Sequence, residues 1–205
     1  MTQKHRKLNI DWSDEKQSKE YHRQYRLAKR LERIVKRDKK NDLLFSLVRN
    51  LDSNAIAYIA GLFDGEGSVC ITKSNQELIS KRYSHAQHTL TVSITNQYRP
   101  VLEYVKNVTG LGNIYPTNKG SRTLSWQVNQ TRAMEFLKAI CNSLIIKKQQ
   151  ATLAIKFQEE VSSRNLNPKN MDRFEEIKYL TNEDVKWRDD IKEEMSRLNH
   201  SYHLA

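Results

Sequence analysis

Two acidic residues, Asp64 and Glu66, are the candidate metal-binding carboxylates of this sequence. They lie at the C-terminal end of a helix predicted over residues 54–65, where the helix dipole already contributes about half a negative charge. A carboxylate at such an end favours a nearby cation. Carboxylates and exposed carbonyls are hard oxygen ligands, so the pattern is compatible with Mg²⁺. A ligand-free turn over Asp-Gly-Glu-Gly also explains the same residues.

The same helix carries small residues along one face, at i, i+3, i+4, i+7 and i+8: Ala57, Ala60, Gly61, Asp64 and Gly65. A glycine inside a helix costs roughly 1 kcal/mol relative to alanine, and close packing against another backbone would offset that cost. If the stripe packs against its own copy about a two-fold axis, two acidic helix ends meet and supply several oxygen ligands. The stripe therefore predicts a dimer interface.

Four strands are predicted around this helix. Residues 68–72 follow it directly, and residues 89–96 alternate strictly between apolar and hydroxyl side chains, as in a half-buried strand. Residues 112–128 read as a hairpin with its turn near Lys119 and Gly120. The alternation predicts an antiparallel sheet with one polar face.

Helices are predicted between and after these strands. Ser53 is the expected N-cap of the first helix, and Pro100 and Gly110 bound the second. Apolar spacing indicates two more helices, at 133–144 and 149–161. The order α-β-β-α-β-β-α-α predicts an α+β fold, with two short helices following near residues 171–180 and 184–198.

The segment Ile59 to Gly67, IAGLFDGEG, resembles the nine-residue motif of the LAGLIDADG homing endonucleases. It departs from the eponymous letters at Ile59, Phe63, Gly65 and Glu66. The predicted α-β-β-α-β-β-α order is similar to that family's core, and IIKKQQA at 145–151 resembles its basic segment after the second hairpin. The resemblance covers residues 53–163 and implies a saddle-shaped antiparallel sheet that binds DNA. A single copy of the motif implies a homodimer.

Carried over by position, the resemblance makes Glu66 the metal-binding acid, with the Gly65 carbonyl close to the same Mg²⁺ ion. Lys147 is similar to a lysine that borders the active site, although a solvated lysine at a helix start explains it as well. Asn96 falls where relatives carry a water-orienting polar residue, and it also suits a turn that ends a strand. Arg99 lies near a basic position of one branch. Together these are the candidate catalytic residues.

The polar sheet face is the candidate DNA-binding surface, because short hydroxyl and amide side chains suit base edges in a major groove. Any solvent-exposed sheet face is polar, so the pattern alone also fits a sheet without a ligand. The predicted contacts are Ser68, Cys70, Thr72, Thr89, Thr91, Ser93, Thr95, Thr123, Ser125 and Gln127, extended by Tyr115, Thr117, Lys119 and Arg122.

Charge favours a polyanionic partner. The 205-residue chain has a net charge of +11, of which residues 1–50 contribute +8, residues 51–171 contribute +6 and residues 172–205 contribute −3. No run reaches the ~18 apolar residues of a membrane helix. Because no apolar stretch follows the basic residues at the start, we expect no secretory signal. Two cysteines suit a reducing, intracellular compartment, either a bacterial or phage cytoplasm or an organelle. We interpret the histidines of His85-x-x-His88 as surface residues rather than zinc ligands.

These observations predict three regions: a basic helical, DNA-contacting extension at 1–50, an endonuclease core at 51–163, and C-terminal helices at 164–205 that pack on the core. The resemblance implies an intron-encoded enzyme that hydrolyses both strands of a long, near-palindromic DNA site. The alternative on the same scaffold is an RNA maturase whose partner is intron RNA, or a DNA-binding regulator that does not cleave.

Overall fold

A computed structural model describes residues 14–74, 87–165 and 181–201. The helices are α1 (Glu15–Arg49), α2 (Ser53–Glu66), α3 (Arg99–Thr109), α4 (Gln130–Ile140), α5 (Lys148–Asn165) and α6 (Asn182–Ser201). The strands are β1 (Gly67–Ser74), β2 (Gln87–Asn96), β3 (Asn113–Pro116) and β4 (Leu124–Asn129), and a short 3₁₀ turn spans Cys141–Ser143. The predicted α+β class and element order are confirmed. The helix predicted at 171–180 lies outside the described residues.

The four strands form one antiparallel sheet in the order β1-β2-β4-β3. Alternation sets the register: Val69 pairs with Val92 and Val92 with Val128, so the apolar residues stack on one face. These side chains are buried, whereas the hydroxyl side chains occupy the other face. The hairpin turn lies at Lys119 and Gly120, as predicted.

An aromatic cluster joins the sheet to the helices. The ring of Phe136 on α4 lies 4.9 Å from Trp126 on β4 and 5.8 Å from Phe63 on α2, centroid to centroid. All three side chains are fully buried, and the Trp126 indole N–H donates to the Leu111 carbonyl at 2.8 Å. This hydrogen bond fixes the orientation of the large, buried Trp126 ring.

The chain divides into two compact units, Met1–Asp42 and Leu43–Ala205, and α1 crosses the division. The sequence predicts one or two basic helices here, and the described residues form one. Within the second unit, Phe45 and Val48 are buried, and the Arg49 guanidinium pairs with the buried carboxylate of Glu135 at 2.8 Å. The last turns of α1 therefore belong structurally to the core unit rather than to an extension.

The C-terminal helix α6 packs on α5 and β1. Trp187 stacks on Phe157 of α5 at 5.7 Å, and Met195 is fully buried. The Asn199 amide donates to the Val69 carbonyl at 2.9 Å, so α6 covers part of the sheet edge at β1. Across the described residues, no helix combines the length and apolar character needed to span a membrane.

The surface interpretation of His88 is wrong, because its side chain is fully buried under α6. Its Nε2 lies 2.8 Å from Asp189, whose other carboxylate oxygen accepts from the Lys73 ammonium group at 2.7 Å. Strand alternation places His88 on the same face as Leu90, and the acidic helix α6 supplies the partner that a buried imidazole needs.

Candidate active site and nucleic-acid interface

Helix α2 carries the acidic residues, and its own ends determine where they lie. It begins after Asp52, whose Oδ1 accepts the backbone N–H groups of Asn54 and Ala55, both at 2.9 Å. The predicted cap, Ser53, is the first helical residue instead. Aspartate is as good a cap as serine, and its charge also favours the positive end of the helix dipole.

The helix passes into β1 without a loop. A Cβ at Gly67 would collide with the ring and carbonyl of Phe63, so only glycine permits this close passage. The Gly67 N–H closes the helix by donating to the Phe63 carbonyl. Glu66 is therefore the last residue of α2 and stands exposed at the junction of helix and sheet, beside the exposed Gly65.

The Asp64 carboxylate turns toward the segment that leads into α5. Its Oδ2 accepts the N–H groups of Ile145 at 2.7 Å and Ile146 at 3.2 Å, and its Oδ1 accepts that of Lys147 at 2.9 Å. Partial burial acts to raise the pKa of Asp64, but the backbone donors and the Lys147 charge outweigh it and hold this pKa below its usual range. Asp64 thus remains ionised at the N-terminal end of α5, where the helix dipole favours an anion.

The Lys147 ammonium group donates a hydrogen bond to the Asp64 backbone carbonyl, which lies in the last turn of α2. Burial lowers the pKa of Lys147, while the negative charges of Asp64 and Glu66 oppose that lowering. The lysine therefore lies within the electrostatic reach of Glu66, partly shielded from solvent. The fold brings together Asp64, Glu66 and Lys147, three of the residues selected from the sequence.

The donor set at this junction fits part of a Mg²⁺ site. Glu66 offers a carboxylate, and the last carbonyls of α2, including that of Gly65, have no partner from within the helix. Mg²⁺ requires about six oxygen ligands, of which several are usually waters. Among the described residues of one chain, no three His, Cys, Asp or Glu side chains gather as ligands. The described side chains of one chain therefore account for only part of the roughly six ligands that Mg²⁺ requires.

The structure gives Asn96 and Arg99 other contacts. The Asn96 side-chain oxygen accepts the Tyr98 N–H at 2.8 Å, which closes the turn between β2 and α3. The Arg99 guanidinium donates to Glu103 at 2.6 Å and lines a groove with Tyr115 of β3. Their catalytic roles remain predictions.

The small-residue stripe on α2 divides into two sets. Ala57 and Gly61 are exposed, whereas Ala60 is 1% exposed and faces its own core, so its assignment to a dimer interface is wrong. Asp64 is engaged by residues 145–147. A Cβ built at Gly61 or Gly65 meets no atom of the described residues within 4 Å. Packing among the described residues of one chain therefore gives no reason for these two glycines.

The sheet presents polar rows that cross its strands. Ser68 pairs with Ser93, Ser93 with Gln127, and Gln127 with Asn113, so one row spans all four strands. The sequence interpretation missed Asn113, because only the strand register reveals that it completes the row. Most of the DNA contacts predicted on the sheet are at least partly exposed: Ser68, Cys70, Thr72, Thr89, Thr91, Ser93, Thr95, Thr123 and Gln127.

Ser125 does not belong to the accessible surface. It is 4% exposed, between Thr95 and Tyr115 in the strand register, and its hydroxyl accepts from the Gln127 amide at 3.3 Å. Its selection as a DNA contact is therefore wrong, because a side chain this deeply buried offers no surface to DNA. Beyond it, the surface continues into exposed residues of the second hairpin: Tyr115, Thr117, Lys119 and Arg122.

Comparison with known proteins identifies one family model, LAGLIDADG endonuclease, which matches residues 59–161. A search among curated proteins finds no significant match. The structural matches include the meganuclease I-SmaMI bound to uncleavable DNA, with 18% identity over 67% of this chain and 43% of that chain and a TM-score of 0.52.

Two further structural matches cover nearly the whole of shorter chains. One is the homing endonuclease I-CvuI in complex with its target, with 14% identity over 71% of this chain and 94% of that chain and a TM-score of 0.48. The other is the archaeal intron-encoded homing endonuclease I-Vdi141I complexed with DNA, with 18% identity over 70% and 96% and a TM-score of 0.47.

Proposed function

Because this chain belongs to the LAGLIDADG endonuclease family, we propose that it is a homing endonuclease that cleaves both strands of a specific DNA site as a Mg²⁺-dependent homodimer. The family match runs from the motif at Ile59 through most of α5, so it includes Glu66, Lys147 and the whole sheet. DNA-cleaving endonuclease activity is the property of the family. What we propose beyond the family's activity is the dependence on Mg²⁺, the homodimeric state and the near-palindromic symmetry of the DNA target.

One observation carries this proposal: Asp64 holds Lys147 beside Glu66 at the junction of α2 and β1. Hydrolysis of a phosphodiester needs a positioned water and positive charge to stabilise the growing charge on phosphate oxygens. The Lys147 ammonium group supplies one such charge at a fixed position. Glu66 supplies a carboxylate at the same junction, and no histidine or serine nucleophile is required.

Bound Mg²⁺ would supply the remaining positive charge and lower the pKa of a coordinated water. Glu66 and the Gly65 carbonyl would hold it, together with ligands from a second copy and from DNA. In this proposal Lys147, which is hydrogen-bonded to Asp64 and feels the charge of Glu66, acts on the same phosphate as the metal.

The exposed glycines of α2 support the same assembly. Gly61 and Gly65 stand one helical turn apart with open space around each Cβ position. Two copies related by a two-fold axis would let these helices approach closely and bring both Glu66 residues together. The two sheets would then form one surface, and a site read by identical halves is near-palindromic.

The direct test is cleavage of a randomised duplex library by the purified protein in Mg²⁺, with Ca²⁺ as a separate condition. We expect discrete, near-palindromic cuts in Mg²⁺ for the wild type. Glu66→Gln should abolish cutting and retain DNA binding, since the amide keeps the shape and loses the charge. Glu194→Gln, an exposed position on α6, is the matched control and should cut normally.

Each other outcome has a meaning. If Glu66→Gln still cuts, the assignment of Glu66 is wrong. Selective binding without cutting by the wild type would identify a DNA-binding regulator. Preference for structured intron RNA over duplex DNA would identify a maturase.

A further inference from the structure

The N-terminal unit carries a continuous basic stripe that the family core does not include. Lys or Arg occupies every position of the series 19, 23, 26, 30, 33, 37 and 40, with a spacing of four and three residues throughout. All these positions lie within the uninterrupted helix α1. At about 100° of rotation per residue, the seven positions fall within an arc roughly 100° wide.

Charge is segregated around this helix. Four acidic residues of the helix, Glu20, Glu32, Asp38 and Asp42, lie outside the arc, and within it only Glu15 at the first position is acidic. The stripe residues Arg26, Arg33 and Lys40 are exposed. A generic solvated helix would alternate charges of both signs to form i,i+4 pairs over its whole surface. In α1 the ion pairs engage two stripe residues, Lys19 with Glu15 and Arg23 with Glu20, while Lys29 and Lys36, outside the arc, both contact Glu32.

The dimensions of the stripe match a duplex. The 21 steps from Lys19 to Lys40 give a rise of about 32 Å in an α-helix, which is close to the ~34 Å of one turn of DNA. Five of the seven positions carry arginine, which forms bidentate hydrogen bonds with phosphate. Contacts of arginine and lysine with phosphate do not depend on sequence, so the chemistry of the stripe fits the phosphate backbone of any duplex.

We propose that this stripe is a sequence-independent binding site for the phosphate backbone of duplex DNA, separate from the sheet that reads the target. The choice of DNA as the partner rests on the proposed function, because the same basic helix would also attract other polyanions. Binding through the stripe holds the enzyme on DNA outside its target and raises its concentration near the site.

The test compares two full-length variants that remove the same charge from the same helix. The stripe variant carries Arg23→Gln, Arg26→Gln, Arg33→Gln and Lys40→Gln, and the control variant carries Lys16→Gln, Lys29→Gln, Lys36→Gln and Lys39→Gln. Glutamine has nearly the helix propensity of lysine and arginine, so both variants keep the helix, which circular dichroism verifies. Binding to a duplex of arbitrary sequence is measured over a range of salt concentrations.

We expect the stripe variant to lose at least about tenfold in affinity at low salt. Each lost phosphate contact lowers the slope of log K against log salt by about 0.9, so the slope should fall by three to four, whereas the control variant should stay within about one unit of wild type. Equal losses in both variants, or none in either, would overturn the proposal.

Two competing polyanions complete the test. If the stripe variant loses more affinity for structured RNA, or for anionic phospholipid vesicles, than for the duplex, the stripe is assigned to that partner and the DNA assignment is overturned. Because the readout is binding to arbitrary duplex, it is independent of cleavage. Failure of the enzyme to cut its target would count against the proposed function and leave the result for the stripe intact.

Discussion

Asp64 and Lys147 bind each other in both directions: the Asp64 carboxylate accepts the Lys147 backbone N–H, and the Lys147 ammonium group donates to the Asp64 backbone carbonyl. The first contact satisfies the Lys147 backbone N–H just before α5, and the second satisfies the Asp64 backbone carbonyl in the last turn of α2. This reciprocal pair spans 83 positions of sequence and positions Lys147 beside Glu66. One aspartate therefore couples the stability of the helix ends to the geometry of the candidate active site.

Replacement of Asp64 by asparagine should destabilise the core unit. The amide keeps one acceptor oxygen but directs an N–H₂ group at backbone donors, so at least one of the three N–H contacts is lost. A hydrogen bond to a charged group contributes about 1.5–3 kcal/mol, and partial exposure of Asp64 reduces this to about 1–2 kcal/mol in the free energy of unfolding. Urea denaturation followed by circular dichroism measures the difference.

Asp52→Asn is the matched control, because it makes the same substitution at the opposite end of the same helix. Asparagine is as good an N-cap as aspartate, so this variant should remain within about 0.5 kcal/mol of wild type. An Asp64→Asn protein as stable as Asp52→Asn would show that the carboxylate at position 64 is not required to join α2 and α5.

The sequence predicted the architecture well because its patterns are local. Strict alternation at 89–96 determines the face that each strand residue occupies, and Gly110 adopts the positive φ of 66° expected of a helix C-cap. The motif around Glu66 located the helix end from its acidic and glycine residues alone. Each of these features depends on neighbours within one or two turns of chain.

The failures arise where the deciding neighbour is distant in sequence. Ser125 reads as an exposed strand residue, and only the pairing with Tyr115 and Thr95 shows that it is covered. His88 reads as a surface histidine until α6, about 100 residues later, places Asp189 against it. Ala60 has the spacing of the small-residue stripe, but its side chain is buried in the core of its own chain. Pairing and docking, rather than local propensity, decide such positions.

The buried His88 makes the docking of α6 sensitive to pH. Burial lowers the pKa of His88, and the charges of Lys73 and Arg188 add to this, whereas the hydrogen bond and charge of Asp189 oppose it. The unfolded chain then binds the proton more readily than the folded chain. The contribution of neutral His88 to the free energy of unfolding is therefore complete above the ordinary histidine pKa and is lost as pH falls below it.

Asp189 acts in a second and more acidic range. The hydrogen bond from Lys73 lowers the pKa of Asp189 in the folded state, so its contribution to stability is present above the ordinary aspartate pKa and is lost as pH falls through the lowered value. The histidine contribution begins to be lost below the ordinary histidine pKa and the aspartate contribution only below the ordinary aspartate pKa, so the histidine contribution is measured at mildly acidic pH between the two.

His88→Gln should flatten the dependence of stability on pH in the histidine range, because glutamine keeps a donor to Asp189 and does not titrate. The free energy of unfolding from urea titrations at several pH values between neutral and mildly acidic gives the slope. His22→Gln, an exposed position on α1, should retain the wild-type slope. If His88→Gln keeps the same pH dependence as wild type, protonation of His88 does not control the docking of α6.

Two glycines of α2 and its junction should respond in opposite ways to enlargement. A Cβ at Gly61 meets open space in the single chain, so Gly61→Leu should fold with equal or greater stability, since leucine is the better helix former by about 0.8 kcal/mol. In the proposed dimer the same side chain obstructs the close approach of helices, and sedimentation should report a monomer. A Cβ at Gly67 collides with Phe63, so Gly67→Ala should destabilise the protomer by about 1–3 kcal/mol. A Gly61→Leu protein that remains dimeric would place the two-fold interface away from this face of α2.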